Sequence, residues 1–401
     1  MSGPYDGLKV LDFTHVIAGP FCTRLLSDMG ADVVKVESPS GDIMRELPIL
    51  YEPGMSTAFA QYNCGKRSIG LDLKKPEGLD TAKRLLAWAD VVAENLRPGA
   101  MDRLRLGWDE IHRINPAAVL LSISLFGREG PYAAISGHGA TAEAYSGLMS
   151  LTGQEGGPPS HFGTPLADMS AGVHGLAALG AALYLRSRTG LGSLVDVSSF
   201  DCLFTMIDQA VGQAEFSGGT REYGRYGVKH PQTVPSGVLA TGGGEYVTFS
   251  GVGDAAWARL AAAMGRPELA EDPRFAVIES RIANRIELYA LIDEWGATFP
   301  DAASLLQVLH DQGLPGARIR TVAENRGDPH LRFRGTLQPV SFGEAGTQLV
   351  QCAPYWISGT DIGPAGAGPP HAGEHTDAVL QELLGLPPDE IEALRRTGAI
   401  F

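Results

Sequence analysis

In GTPLADMSAGVHG (163–175) a single acid, Asp168, precedes a run of small apolar residues. The run reads as a helix packed close to a neighbour. Asp168 stands where the helix N-cap would stand, its side chain accepting a backbone N–H two or three residues on. A helix start also favours the ionised carboxylate, and an ionised carboxylate is a nucleophile. Ser170, Ala171 and Gly172 leave room beside it, as they would for helix packing alone. A second position with chemical potential is HVIAGP (15–20), which follows the apolar run LKVLDF. A dinucleotide-binding turn would carry G-x-G-x-x-G here; its absence removes the main support for a nicotinamide site. Pro20 suits a first helical turn, and Ala18 and Gly19 let a ligand approach the backbone. N–H groups at that helix start could hold an anion or a developing oxyanion. The stretch is equally compatible with a plain tight turn.

The elements that must hold these positions follow a clear rhythm. LKVLDF (8–13), DVVKVE (32–37), KRSIGLDL (66–73), DVVAEN (90–95) and AVLLSISL (118–125) read as strands. Helices fall near 20–29 and at 76–89, the latter with Pro76 in its first turn. Strands alternating with helices predict βαβ units and a mostly parallel sheet. Near-continuous apolar runs suit strands buried on both faces. FDCLFTMIDQAVGQAEF (200–216) reads as a helix, and 217–235, rich in Gly and polar residues, as a linker or active-site loop. A hairpin around GGG is expected over 236–251, then helices near 254–264, 280–298 and 301–312, which together make a separate small α+β domain. Short strands from about 320, a loop over PAGAGPP (364–370) and helices near 377–385 and 388–396 complete the chain.

Composition narrows the function classes. With 401 residues, 44% hydrophobic and 19% charged, the chain has the make-up of an ordinary globular protein. A net charge of −14 argues against non-specific nucleic-acid binding, which needs a basic surface. The N-terminus lacks the pattern of a signal peptide. The most apolar helix candidate, 171–183, is too short to span a bilayer, so no membrane partner is expected. Four dispersed cysteines with no CxxC pair argue against a disulfide framework or a zinc site and fit a reducing cytoplasm, and no metal site is expected.

Seven segments together resemble the class III coenzyme A transferases (CaiB/BaiF type), the family that includes formyl-CoA transferase, succinyl-CoA:dicarboxylate CoA-transferases and α-methylacyl-CoA racemase. They are PYDGLKVLDFTHVIAGP (4–20), LSDMGADVVKVE (26–37), NCGKRSIGLDLKKPEG (63–78), ADVVAENLRPGAMDRLRLG (89–107), LADMSAGVHG (166–175), SRTGLGSLVDVSSFD (187–201) and GEHTDAVL (373–380). The resemblance implies an α/β fold. A Rossmann-like, mostly parallel large domain would form from both chain ends (1–200 and 326–401), with a linker helix (201–224), an inserted small α+β domain (225–325) and an interlocked homodimer. It implies that Asp168 attacks an acyl-CoA thioester and carries the coenzyme in turn. The coenzyme A thioester is then a co-substrate and no cofactor is bound permanently. Val16, Ile17 and Ala18 would line the CoA groove, and Leu71, Asn95, Arg103 and Leu104 would hold its nucleotide and pantetheine end, Arg103 matching phosphate geometry. Ser38 stands where many transferase relatives carry Arg.

The same family contains racemases, in which a His of G-H-D opposes the aspartate across the substrate α-carbon, as two-base racemisation requires. His138 lies thirty residues before Asp168, but Gly139 replaces the acid of that motif, and Gly253 replaces a glutamate of the small domain. Transfer is therefore the reading favoured over 2-methylacyl-CoA racemisation by His138 and Asp168. RYGVKH (225–230) resembles the succinyl-CoA-dependent branch that handles dicarboxylates. Arg45 or Arg225 could clamp a distal carboxylate, with His138 and Gly139 nearer the reacting end. The expected substrates are an acyl-CoA such as succinyl-CoA and a small carboxylic acid.

Overall fold

The computed structural model describes residues 3–207, 209–220, 223–364 and 367–401. The chain divides into two compact units, 1–148 with 162–209 and 328–401, and 149–161 with 210–327. In the first unit the elements are β1 (Lys9–Asp12), α1 (Ala18–Asp28), β2 (Asp32–Glu37), the short pair β3 (Leu50–Glu52) and β4 (Met55–Ser56), α2 (Thr57–Asn63), β5 (Arg67–Gly70), α3 (Pro76–Trp88), β6 (Val91–Glu94), α4 (Ala100–Arg103), α5 (Trp108–Ile114), β7 (Val119–Ser124), α6 (Gly139–Tyr145), α7 (Leu148–Leu151, which straddles the boundary), α8 (Leu166–Thr189), β8 (Leu194–Ser198) and α9 (Ser199–Thr205).

Six of these strands form one parallel sheet in the order β5-β2-β1-β6-β7-β8. Successive side chains on a strand point to opposite faces, and here both faces are apolar. Leu11, Val34, Ile69, Val92 and Leu120 pack under α3, α5 and the C-terminal helices Thr376–Leu384 and Pro388–Thr397. Val10, Val33, Val91, Val119 and Leu121 pack under α1 and α8. The order reverses between β1 and β6, and in such sheets ligands bind beyond the carboxyl ends of the strands at that reversal.

α1 and α8 lie against each other through glycine. A Cβ on Gly172 would stand 2.8 Å from Phe21 Cδ1 and 3.0 Å from the Ala18 carbonyl oxygen, and one on Gly175 would stand 3.5 Å from Cys22 Sγ. Ala18 and Cys22 thus advance in step with Gly172 and Gly175, so both helices start at the same end of the sheet. α8 has 24 residues, longer than the 171–183 stretch read from sequence. By length and composition alone it could cross a membrane; here its Ala171, Leu176, Leu179 and Ala182 face the sheet.

The second unit has a three-stranded antiparallel sheet with Tyr246–Ser250 between Ser236–Ala240 and Gly316–Arg318. Trp257, Phe275, Leu288, Ile292 and Leu305 cover it. Two of the three hairpin glycines, Gly242 and Gly243, lie against main chain: a Cβ on Gly242 would stand 2.6 Å from the Ala297 carbonyl oxygen. Residues 149–161, read from sequence as part of the large domain, pack in this unit because Arg225 and Arg285 hold them, Arg285 through Glu155 at 2.8 Å. The helix expected over 200–216 is two helices, α9 and Gln209–Phe216, with residue 208 outside the described residues. The loops read over 217–235 and 364–370 likewise include residues outside them, 221–222 and 365–366.

Replacing Gly172 with Ala should destabilise the protein by ~1–3 kcal/mol, because the new methyl meets the Ala18 carbonyl and the Phe21 ring. Urea denaturation followed by tryptophan fluorescence measures this; an unchanged midpoint would contradict the close packing.

Candidate active site

Asp168 is not the N-cap of α8. Pro165 occupies that position, no side chain caps the helix, and Asp168 is its third residue. Its carboxylate faces α6. A Cβ on Gly139 would fall within contact distance of Asp168 Oδ2, 3.3 Å from the carboxylate carbon and 3.6 Å from Ala167 Cβ. Gly139, the first residue of α6, therefore makes the space the carboxylate fills. Ala142, Ala167 and Leu203 close the apolar floor beneath.

Three titratable groups surround the carboxylate. Glu143, one helical turn after Gly139 on α6, is 4% exposed. His138 caps α6 and is itself exposed. Tyr62 on α2 sets its ring edge-on to Phe21, with centroids 6.3 Å apart. Burial first, and the Glu143 charge second, push the Asp168 carboxyl up to about 6, while His138 pulls the other way. A helix start lowers a carboxyl pKa, but by less than about one unit, since it contributes ~0.3–1 kcal/mol. Desolvation outweighs it here. Burial and the Asp168 charge push the Tyr62 hydroxyl up in turn. The result is a carboxylate ionised at neutral pH but poorly solvated, which strengthens it as a nucleophile.

The β1–α1 junction forms the facing wall. Val16 is 40% exposed and takes a φ of 67°, a region that β-branched residues rarely enter. Ile17 is the N-cap of α1, with no side-chain capping bond, and its side chain packs toward Met44, Met55 and Phe59. Ala18 starts the helix with its methyl in the core. The first N–H groups of a helix lack partners within it, and Ala18 adjoins Gly172, one turn from Asp168.

Other candidate residues divide sharply. Arg103, at the end of α4, is exposed and has no ion-pair partner among the described residues, and Leu104 beside it is half-buried. Leu71 is 0% exposed, packed in the core with a bridge to Ile400; its side chain does not hold CoA. Arg45 is also corrected. Its guanidinium grips Glu37 at 2.6 and 2.8 Å, donates to Pro370 O and lies 3.7 Å over the Phe59 ring, leaving no fork for a substrate carboxylate. Arg225 donates to the carbonyls of Gly157 (2.9 Å) and Ser150 (3.1 Å), which makes it a tie to segment 149–161. Asn95 uses both ends of its amide on the main chain of His15. Glu143 and Tyr62 carried no motif; the signal for Glu143 was its four-residue spacing from Gly139. Among the described residues no group of three or more His, Cys, Asp or Glu is placed to hold a metal.

The sequence model for CoA-transferase family III matches residues 5–376, so the chain belongs to that family and is a class III CoA-transferase. It is 36% identical over 401 residues to the succinyl-CoA–D-citramalate CoA-transferase of Chloroflexus aurantiacus, covering 99% of this chain and 98% of that one. It is also 36% identical over 420 residues to the formyl-CoA:oxalate CoA-transferase of Streptomyces coelicolor, covering 98% of each. The crystal structure of a CaiB/BaiF family protein from Brucella suis superposes with a TM-score of 0.85 at 34% identity, over 96% of this chain and 100% of that one.

Two outcomes test the electrostatics. A CoA-exchange rate that depends on the ionised Asp168 carboxylate should fall about tenfold per pH unit below pH 6; a flat profile from pH 7 to 5 would contradict that dependence. The folded protein holds this proton up to about pH 6, whereas an unfolded aspartate releases it near 3.8, so stability is lost as pH rises between those values. Asp168→Asn should therefore raise Tm above pH 6, with the gain gone below pH 4, as calorimetry would show. In addition, Gly139→Ala should slow CoA exchange by ~10–100-fold by displacing the carboxylate.

Proposed function

We propose that this enzyme moves coenzyme A from an acyl-CoA such as succinyl-CoA to a small (di)carboxylic acid through an aspartyl-CoA thioester on Asp168. The observation that carries the reading is a carboxylate buried against Gly139, its carboxyl pushed up to about 6, at the start of a helix beside the sheet's reversal point. A carboxylate used only to cap α8 would stand at the N-cap; that place is Pro165, and Asp168 is the third residue of the helix.

The Asp168 oxygen attacks the thioester carbonyl, forming a mixed anhydride and expelling CoA thiolate. The thiolate attacks the aspartyl carbonyl, giving the enzyme thioester and releasing the donor acid with an oxygen that came from Asp168. The acceptor carboxylate then attacks the aspartyl thioester and expels thiolate again. The thiolate takes the acceptor acyl group, and Asp168 is restored with one oxygen from the acceptor. Each anhydride hydrolyses readily, so the apolar floor of Ala142, Ala167 and Leu203 serves by excluding water. Val16, Ile17 and Ala18 line the pantetheine path, and Arg103 offers an exposed guanidinium to a CoA phosphate. His138 and Gly139 border the reacting acyl group. The name of the Chloroflexus relative supports succinyl-CoA as donor and a dicarboxylate as acceptor.

An interlocked homodimer is part of this reading. Val173, Tyr184 and Leu185 of α8, Leu191, Leu194 of β8 and Phe204 of α9 are exposed apolar residues suited to contact with a second copy. Four cysteines, all buried thiols, fit a reducing cytoplasm.

Incubation with succinyl-CoA followed by borohydride or hydroxylamine should leave a modification on the peptide carrying Asp168, detected by mass spectrometry. Asp168→Ala should lower exchange by at least ~10³-fold with the fold retained; persistent turnover would refute the assignment. A 2-methylacyl-CoA in deuterated buffer, without acceptor acid, should keep its α-proton; exchange would favour racemisation by His138 and Asp168.

A further inference from the structure

Three consecutive main-chain units after β1 are held by side chains from elsewhere in the fold. Lys35 Nζ, from β2, donates to the Thr14 carbonyl at 2.7 Å, and Thr14 N–H donates to Asp12 at 2.9 Å. Asn95, the residue after β6, takes both sides of the next unit: His15 N–H donates to Oδ1 at 2.7 Å and Nδ2 donates to the His15 carbonyl at 2.8 Å. Val16 N–H points at the Asp42 carboxylate at 3.3 and 3.4 Å, and Asp42 is itself paired with buried Lys35 at 3.1 Å.

A left-handed β-branched residue costs about 1–3 kcal/mol and persists only where its surroundings over-determine it. Here they do, and α1 begins two residues later. The bridge from Asn95 to His15 spans the carboxyl ends of β6 and β1, the place where the sheet order reverses. α1 in turn abuts α8 one turn from Asp168. The two bonds to His15 take one donor and one acceptor site of the amide and fix its orientation on the main chain.

We propose that Asn95 is a positioning residue: by gripping both sides of His15 it fixes the turn at Val16 and the start of α1, and so sets the rate at which Asp168 is acylated rather than the affinity for coenzyme A. This inference rests on the function proposed above. Displacing a reacting group by about 1 Å costs on the order of 10²-fold in rate, whereas contacts to the rest of a long ligand persist.

The test compares wild type with Asn95→Ala and Asn95→Asp. Asn95→Asp keeps the shape but sets a second acceptor against the His15 carbonyl. Two quantities are measured: the single-turnover burst of CoA thiol at saturating acyl-CoA, and the Kd of free coenzyme A by calorimetry. The burst rate should fall ~10–100-fold in both variants, with Kd changed by less than about threefold. A Kd that rises with the burst rate unchanged would make Asn95 a coenzyme ligand and overturn the proposal, as would no change in either quantity. If Asn95→Ala does not fold, Asn95→Asp carries the test; if neither folds, the residue is structural only and the proposal falls. Succinyl-, acetyl- and formyl-CoA are run in parallel. Absence of a wild-type burst with all three would count against the proposed function, a result distinct from a loss confined to the variants.

Discussion

The contact between the Asp168 carboxylate and the bare Cα of Gly139 is the constraint on which the site depends. Any side chain at 139 would occupy the carboxylate's position. Because none is there, α6 closes over the start of α8, water is kept from one side of the acid, and Glu143 is brought within reach of it. Burial then outweighs the favourable helix start and raises the carboxyl toward neutrality. One missing methyl thus links sequence to packing, packing to acidity, and acidity to nucleophilic strength.

A second constraint acts through the scaffold. Gly172 and Gly175 let α8 approach α1, which fixes Asp168 relative to the junction at Val16–Ala18. That junction is strained and multiply tied, by Lys35, Asp42 and Asn95. The buried charges of this region, Asp12 with Lys66 and Lys35 with Asp42, are fully enclosed and paired. A buried pair of this kind contributes little net stability, but removing one partner is costly. Its value here is a turn geometry that local backbone preference would not choose.

The sheet was legible in the chain because its strands are short apolar runs separated by helices, and both faces are covered. Asp168 was legible as a charge placed before small residues, although its exact position, third in the helix rather than at the cap, was not: Pro165 starts the helix earlier than the apolar pattern suggests. Arg45, Leu71 and Asn95 share one feature: each has partners that no local pattern reveals. Arg45 looked available until Glu37 and Pro370 O were found on its guanidinium. Leu71 sits in a strand-like motif, yet its neighbours include Ile400 from the far chain end. Asn95 meets His15 across eighty residues. Lys35 carried a usable signal, a lone lysine within the apolar run DVVKVE, where burial demands a partner.

The account's central claim is that an oxygen of Asp168 enters and leaves the reaction. An acceptor acid labelled with ¹⁸O in its carboxylate tests this directly, with mass analysis of both the Asp168 peptide and the acid released from the donor. The account predicts label on Asp168 after turnover and, in later cycles, in the donor's acid. Complete retention of label by the acceptor, with Asp168 unlabelled while acyl-CoA is exchanged, would contradict it.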